Sequence, residues 1–113
     1  MEKYVFDRKN FKWGDEFYDL IQKEMKLPEW FGKNADALWD MLTGFINTPC
    51  EIVLKNFTGK ENDYNDEIIT KILNCFFDAE KKFPNEFKVT IQQALFTSNS
   101  EVNWLILNTT NQI

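Results

Sequence analysis

Read for the alternation of apolar and polar positions, the chain divides into short β-prone runs and longer stretches of helical period. Tyr4-Val5-Phe6 predicts a first strand. Asp15 can then cap a helix, with Phe17, Leu20, Ile21 and Met25 following at helical spacing. Leu27-Pro28 ends it, because the residue before a proline is pushed out of the helical region. A short second helix fits Asn34 to Leu42, with Asn34 as its cap after Gly32 and Gly44 just past its end. Glu51-Ile52-Val53-Leu54 reads as a buried second strand, and Gly59 to about Asn65 as a polar loop. The clearest helix runs from Asp66 to Lys82. Ile69, Ile72, Leu73, Phe76 and Phe83 form its apolar stripe, while Lys71, Asn74, Asp78 and Lys81 lie on the wet side. Pro84 stops it. Phe87-Lys88-Val89-Thr90-Ile91 predicts a third strand, Ser98-Asn99-Ser100 a turn, and Val102 to Leu107 a candidate fourth strand. Strands separated by helices imply right-handed crossovers, hence an α/β sandwich: a small, mainly parallel three-stranded sheet packed with helices.

The length, 113 residues, suits one domain spanning 1–113. Composition narrows the function classes. Eighteen acids against thirteen bases leave a net charge of −5, Arg8 is the sole arginine, and histidine is absent. That excludes His-based acid/base chemistry, Ser-His or Cys-His nucleophile pairs, and zinc sites with an imidazole ligand. It also argues against a nucleic-acid binder, which needs a basic stripe. There is no apolar run that could cross a membrane and no signal-peptide pattern at the N-terminus, so a cytoplasmic protein is expected. Cys50 and Cys75 then read as reduced, buried thiols. The acidic stretch Glu61 to Glu67 lacks the turn glycine and the far bidentate acid of a calcium loop, so no metal is expected there, and no cofactor anywhere.

The second helix holds the sharper signal. Asp36, Asp40 and Thr43 fall at i, i+4 and i+7 and share one face, while Leu38, Met41 and Leu42 point elsewhere and can hold the helix on a core. An acidic helix face by itself is a common solvated surface. Large aromatics at both ends of this one, Trp30, Phe31 and Phe45, look instead like the apolar contacts of an interface. Trp39, within the helix, fits core or rim. A carboxylate-only hydrolase using Asp36 and Asp40 would need companions the chain lacks, so a non-enzyme is expected.

The stretch Leu27-Pro28-Glu29-Trp30-Phe31-Gly32-Lys33-Asn34-Ala35-Asp36-Ala37-Leu38-Trp39-Asp40-Met41-Leu42-Thr43-Gly44 strongly resembles the signature of the barstar family, intracellular inhibitors of barnase-type ribonucleases. The element order from Tyr4 to about Gln92 is similar too. The resemblance implies an inhibitor that plugs the ribonuclease active site with the second helix, in a 1:1 complex, and is a monomer when free. Asp40 matches the family acid that takes the place of the scissile phosphate, and Asp36 a second contacting acid. Trp30 stands where the family has a tyrosine that stacks on the enzyme's catalytic histidine. Thr43 and Phe45 match positions at the helix end, Asn34 and Trp39 neighbouring ones, and Asp78 a glutamate that adds an acidic contact. Lys82 and Lys33 depart from the pattern by bringing positive charge to this face. Residues 95–113 are a C-terminal extension outside the resemblance. The alternative is an immunity or antitoxin module of the same fold that binds a different basic toxin.

Overall fold

The computed structural model describes residues 1–57, 66–96 and 102–108, with the backbone alone at 93–96 and 102–108. The elements run β1 (Glu2–Asp7), a 3-10 turn (Arg8–Asn10), α1 (Gly14–Glu24), α2 (Ala35–Gly44), β2 (Cys50–Lys55), α3 (Glu67–Lys82), β3 (Phe87–Phe96) and β4 (Val102–Asn108). One sheet has the order β1-β2-β3-β4. The first three strands are parallel, with Val5 beside Val53 and Val53 beside Thr90, and β4 joins β3 antiparallel. The expected mainly parallel α/β sheet is therefore present, and the candidate fourth strand closes one side of it. The loop expected over 59–65 and the turn at 98–100 lie outside the described residues.

Three strands laid down in one direction by right-handed crossovers place their helices on one sheet face. The packing of α1 and α2 on α3, and of α3 on β3, follows that geometry. Strand alternation sends Ile52, Leu54, Val89 and Ile91 to the helices, where they meet Phe17, Ile21, Leu38, Ile69, Ile72 and Phe76. Aromatics dominate this core. Phe6 stacks on Phe76 at 5.9 Å, and Phe11 on Phe17 at 4.3 Å. Glu80 is buried among them and its Oε2 accepts the Val89 N–H at 2.7 Å, fastening α3 to β3.

Helix ends show where local reading stops. Asp15 does not cap α1: Trp13 occupies the cap position, and Glu16 Oε1 reaches back to accept the N–H groups of Lys12 and Trp13 at 3.0 and 2.9 Å. The Gly14 N–H goes instead to Asp66 Oδ2 at 3.0 Å, while Asp66 Oδ1 accepts from Ile68 and Ile69 at the start of α3. One carboxylate thus serves two helix N-termini, and the approach is so close that a Cβ on Gly14 would collide with Ile68. At its far end α1 stops before the Leu27-Pro28 pair. Lys26 turns left-handed (φ 53°), its N–H bonds Lys23 O, and the Leu27 N–H bonds Gln22 O at 2.9 Å. That pairing satisfies the last carbonyls of the helix.

Candidate partner-binding face

Helix α2 starts where the sequence places it. Asn34 Oδ1 accepts the Ala37 N–H at 2.8 Å, and its Nδ2 donates to Gly32 O at 3.3 Å, so both polar ends of Asn34 serve the cap. Leu38, Met41 and Leu42 are buried and fix the helix on the core. Asp36 and Asp40 are consequently turned outward, about 6 Å apart along the axis. Asp36 also sits in the first turn, where the helix dipole favours an anion. Gly44 belongs to the helix and is not past its end, Phe45 being the C-cap.

The tertiary structure divides the sequence-derived residues into neighbouring groups. Asn34, Asp36 and Asp78 line one cleft of about 690 Å³ between α2 and α3, with Tyr18, Lys33, Lys71, Asn74 and Cys75 among its other walls. Trp39 and Asp78 line a second of about 540 Å³ with Lys81 and Lys82, so Asp78 is common to both. Asp40, Thr43 and Trp30 are exposed on the surface, Trp30 at 72%. Phe45, half exposed, lies in a different cleft with Tyr4, Met25 and Ile46. Phe31 departs from the expectation of an interface aromatic: it is buried, edge-on to Tyr18 at 6.0 Å, and holds the loop before α2 to the core. The Thr43 hydroxyl donates to Trp39 O at 2.8 Å within the helix. Trp39 is both core and rim, since its ring packs near Phe83 at 6.4 Å and lies under the Lys82 ammonium at 5.9 Å.

The electrostatics of the cleft meet at Cys75. This thiol is half-buried, free, and donates to Ala35 O at 3.5 Å. Burial, then the charges of Asp78 and Asp36, push it up to about 11. The Tyr18 hydroxyl is pushed to about 12 by its burial and by Cys75. Carboxylates from α2 and α3 therefore act on one spot. Lys33, in left-handed backbone just before the cap, is neutralised by Asp19 at 2.7 Å. The sequence reading puts Lys71 and Asp78 on the wet side of α3 but does not place Cys75 and Lys82 with them, although i, i+4, i+7 and i+11 spacing puts all four on one side of the helix.

Among the described residues no three metal-ligating side chains converge, and no helix is long and apolar enough to cross a membrane. Compared with known families, residues 1–95 match the one described as Barstar (barnase inhibitor). The chain belongs to the barstar family. A relative from Bacillus subtilis (strain 168), named "Putative ribonuclease inhibitor YrdF", is 32% identical over 92 residues, which is 81% of this chain and 100% of that protein. Barstar membership supports a barnase-inhibitor type of role with a ribonuclease as the kind of partner. Strand β4 lies beyond the matched residues.

Proposed function

We propose that this barstar-family protein is a cytoplasmic inhibitor of a barnase-type ribonuclease, binding one enzyme per chain and closing its active site with α2. The observation that supports this reading is the state of its acids. Asp36 and Asp40 are exposed on α2 and Asp78 on α3, Asp36 and Asp78 lining one cleft, and none of the three has a hydrogen bond or ion pair with a described residue. An RNA-cleaving enzyme holds phosphates in a basic cleft, and carboxylates on a rigid helix can meet the same cations. Asp40, at mid-helix, takes the place of the scissile phosphate, with Asp36 one turn away and Asp78 adding a third charge from α3. Trp30, largely exposed, supplies apolar surface beside them and stacks on the enzyme's catalytic histidine. Thr43 in the last turn of α2 and Phe45 at its C-cap extend the contact to the helix end, and Asn34 and Trp39 border it. Two free cysteines suit a reducing compartment.

The test is an inhibition titration of purified barnase at two salt concentrations. Stoichiometric inhibition is expected, with association slowing as salt rises because exposed charges are screened beyond about 10 Å at 0.1 M. Absence of inhibition, together with capture from cells of a basic toxin without ribonuclease activity, would transfer the same face to a different client.

A further inference from the structure

Among the described residues the sheet has two edges of unlike character. β1 carries Glu2, Lys3 and Asp7 within its six residues, the kind of charge that discourages stray strand pairing. β4, Val102-Asn103-Trp104-Leu105-Ile106-Leu107-Asn108, has no charge, proline or glycine in seven residues. It also runs past the rest of the sheet. β2 pairs with β3 only from Phe87 to Gln92, whereas β4 follows β3 from Thr90 to Phe96. Beyond Gln92 the described sheet is a ribbon of two strands, which is marginally stable alone. The residues matched by the barstar family end at 95, before β4 begins.

We infer that β4 is a self-association edge, pairing antiparallel with β4 of a second copy and joining two four-stranded sheets into one. An antiparallel pair of identical strands is related by a two-fold axis, the commonest symmetry of soluble dimers. Full overlap of the seven residues sets Leu105 opposite its own copy, Trp104 opposite Ile106, and Val102 opposite Asn108. The net charge of −5 opposes association of two copies, but none of it lies on β4, so no like charges face each other across the strands. A partner chosen by charge finds nothing to read there, and a second copy brings an edge of matching length. Pairing turns the two-stranded ribbon into a four-stranded one. Edge addition does not use the α2–α3 face, so the inference stands apart from the ribonuclease reading. It revises the expectation of a free monomer.

Sedimentation equilibrium of the full chain from about 1 to 200 µM tests this, because a dimer dissociates on dilution. The expected mass at high concentration is twice the chain's 13.5 kDa. Leu105→Lys and Leu105→Glu should each sediment as monomers, since like charges then oppose each other at the axis, and a 1:1 mixture of the two should recover the dimer. Melting curves check that both variants are folded. In the wild type, the β4 amides should exchange more slowly as concentration rises, a readout that needs no variant. A wild type at 13.5 kDa throughout, folded variants that still dimerise, a mixture that stays monomeric, or concentration-independent β4 exchange would each overturn the inference.

Discussion

Replacing Asp40 by alanine separates a residue kept for binding from one kept for folding. In the free protein the carboxylate is exposed and has no hydrogen bond or ion pair with a described residue, so its removal breaks nothing. Two terms favour the variant. Alanine is the better helix former by roughly 0.6 kcal/mol at a mid-helix position. Repulsion from Asp36, one turn away, also disappears, worth about 0.2–0.5 kcal/mol. Asp40→Ala should therefore stabilise the free protein by about 0.5–1 kcal/mol, read as a higher urea midpoint at constant slope. In the complex the sign reverses, because the enzyme's cations are left buried and uncompensated, at a cost of about 3–5 kcal/mol. Inhibition of barnase should weaken by roughly 100- to 5,000-fold. Asp36→Ala should cost less affinity and bring no gain in stability, since it removes an anion from the first turn, where the dipole favours it. Unchanged inhibition by Asp40→Ala, or a loss of stability above about 1 kcal/mol, would refute the reasoning, the second by showing that Asp40 serves the fold.

Other consequences are open to measurement. Asp66→Ala removes the cap of α3 and the partner of the Gly14 N–H together, so thermal unfolding should show a loss of about 2–3 kcal/mol, with Asp66→Asn recovering the capping part; a loss below about 0.5 kcal/mol would contradict the shared-carboxylate geometry. Lys82→Glu should speed association with barnase more than Lys88→Glu, which makes the same charge change away from the α2–α3 cleft, and equal effects in stopped-flow traces would deny Lys82 a place at the interface. Burial alone would raise the Asp7 carboxyl, but the Asn56 amide at 2.7 Å, the Lys9 N–H, and the charges of Lys55 and Lys9 hold it below its ordinary value. A group with a depressed folded pKa contributes stability that is complete above its unfolded value and disappears as pH falls through the folded one. The carboxyl carbon signal of Asp7 should accordingly titrate below about pH 3.9, and Asn56→Ala should move its midpoint upward.

The elements that could be read locally share a physical cause. Strand β2 carries the short apolar run Ile52-Val53-Leu54, β3 alternates Phe87, Val89 and Ile91 with Lys88 and Thr90, and α3 presents a 3.6-period stripe, all patterns that need no knowledge of their neighbours. The cap at Asn34 is equally local, because its hydrogen bond closes within three residues. Where a partner lay far off in the chain, local reading misassigned the role. Asp15 resembled a cap because the true partner of Gly14 is 52 residues away, and Phe31 resembled a surface aromatic because its cover is Tyr18 on α1. The positive charge that Lys33 brings before α2 is paired with Asp19 on α1, 14 residues away, a contact that local spacing does not reveal.

By itself the sequence determined that Asp36 and Asp40 share an outward face. The burial of Leu38, Met41 and Leu42 admits one rotation of the helix, and four-residue spacing then puts both acids on its wet side. Only the tertiary structure decided what stands beside them. Packing of α3 against α2 brings Asp78 to the cleft that Asp36 lines, puts Cys75 under the charges of both carboxylates, and lays Lys82 over Trp39, because contacts between residues about 40 apart in the chain depend on how each helix docks on the sheet and leave no periodic trace along it.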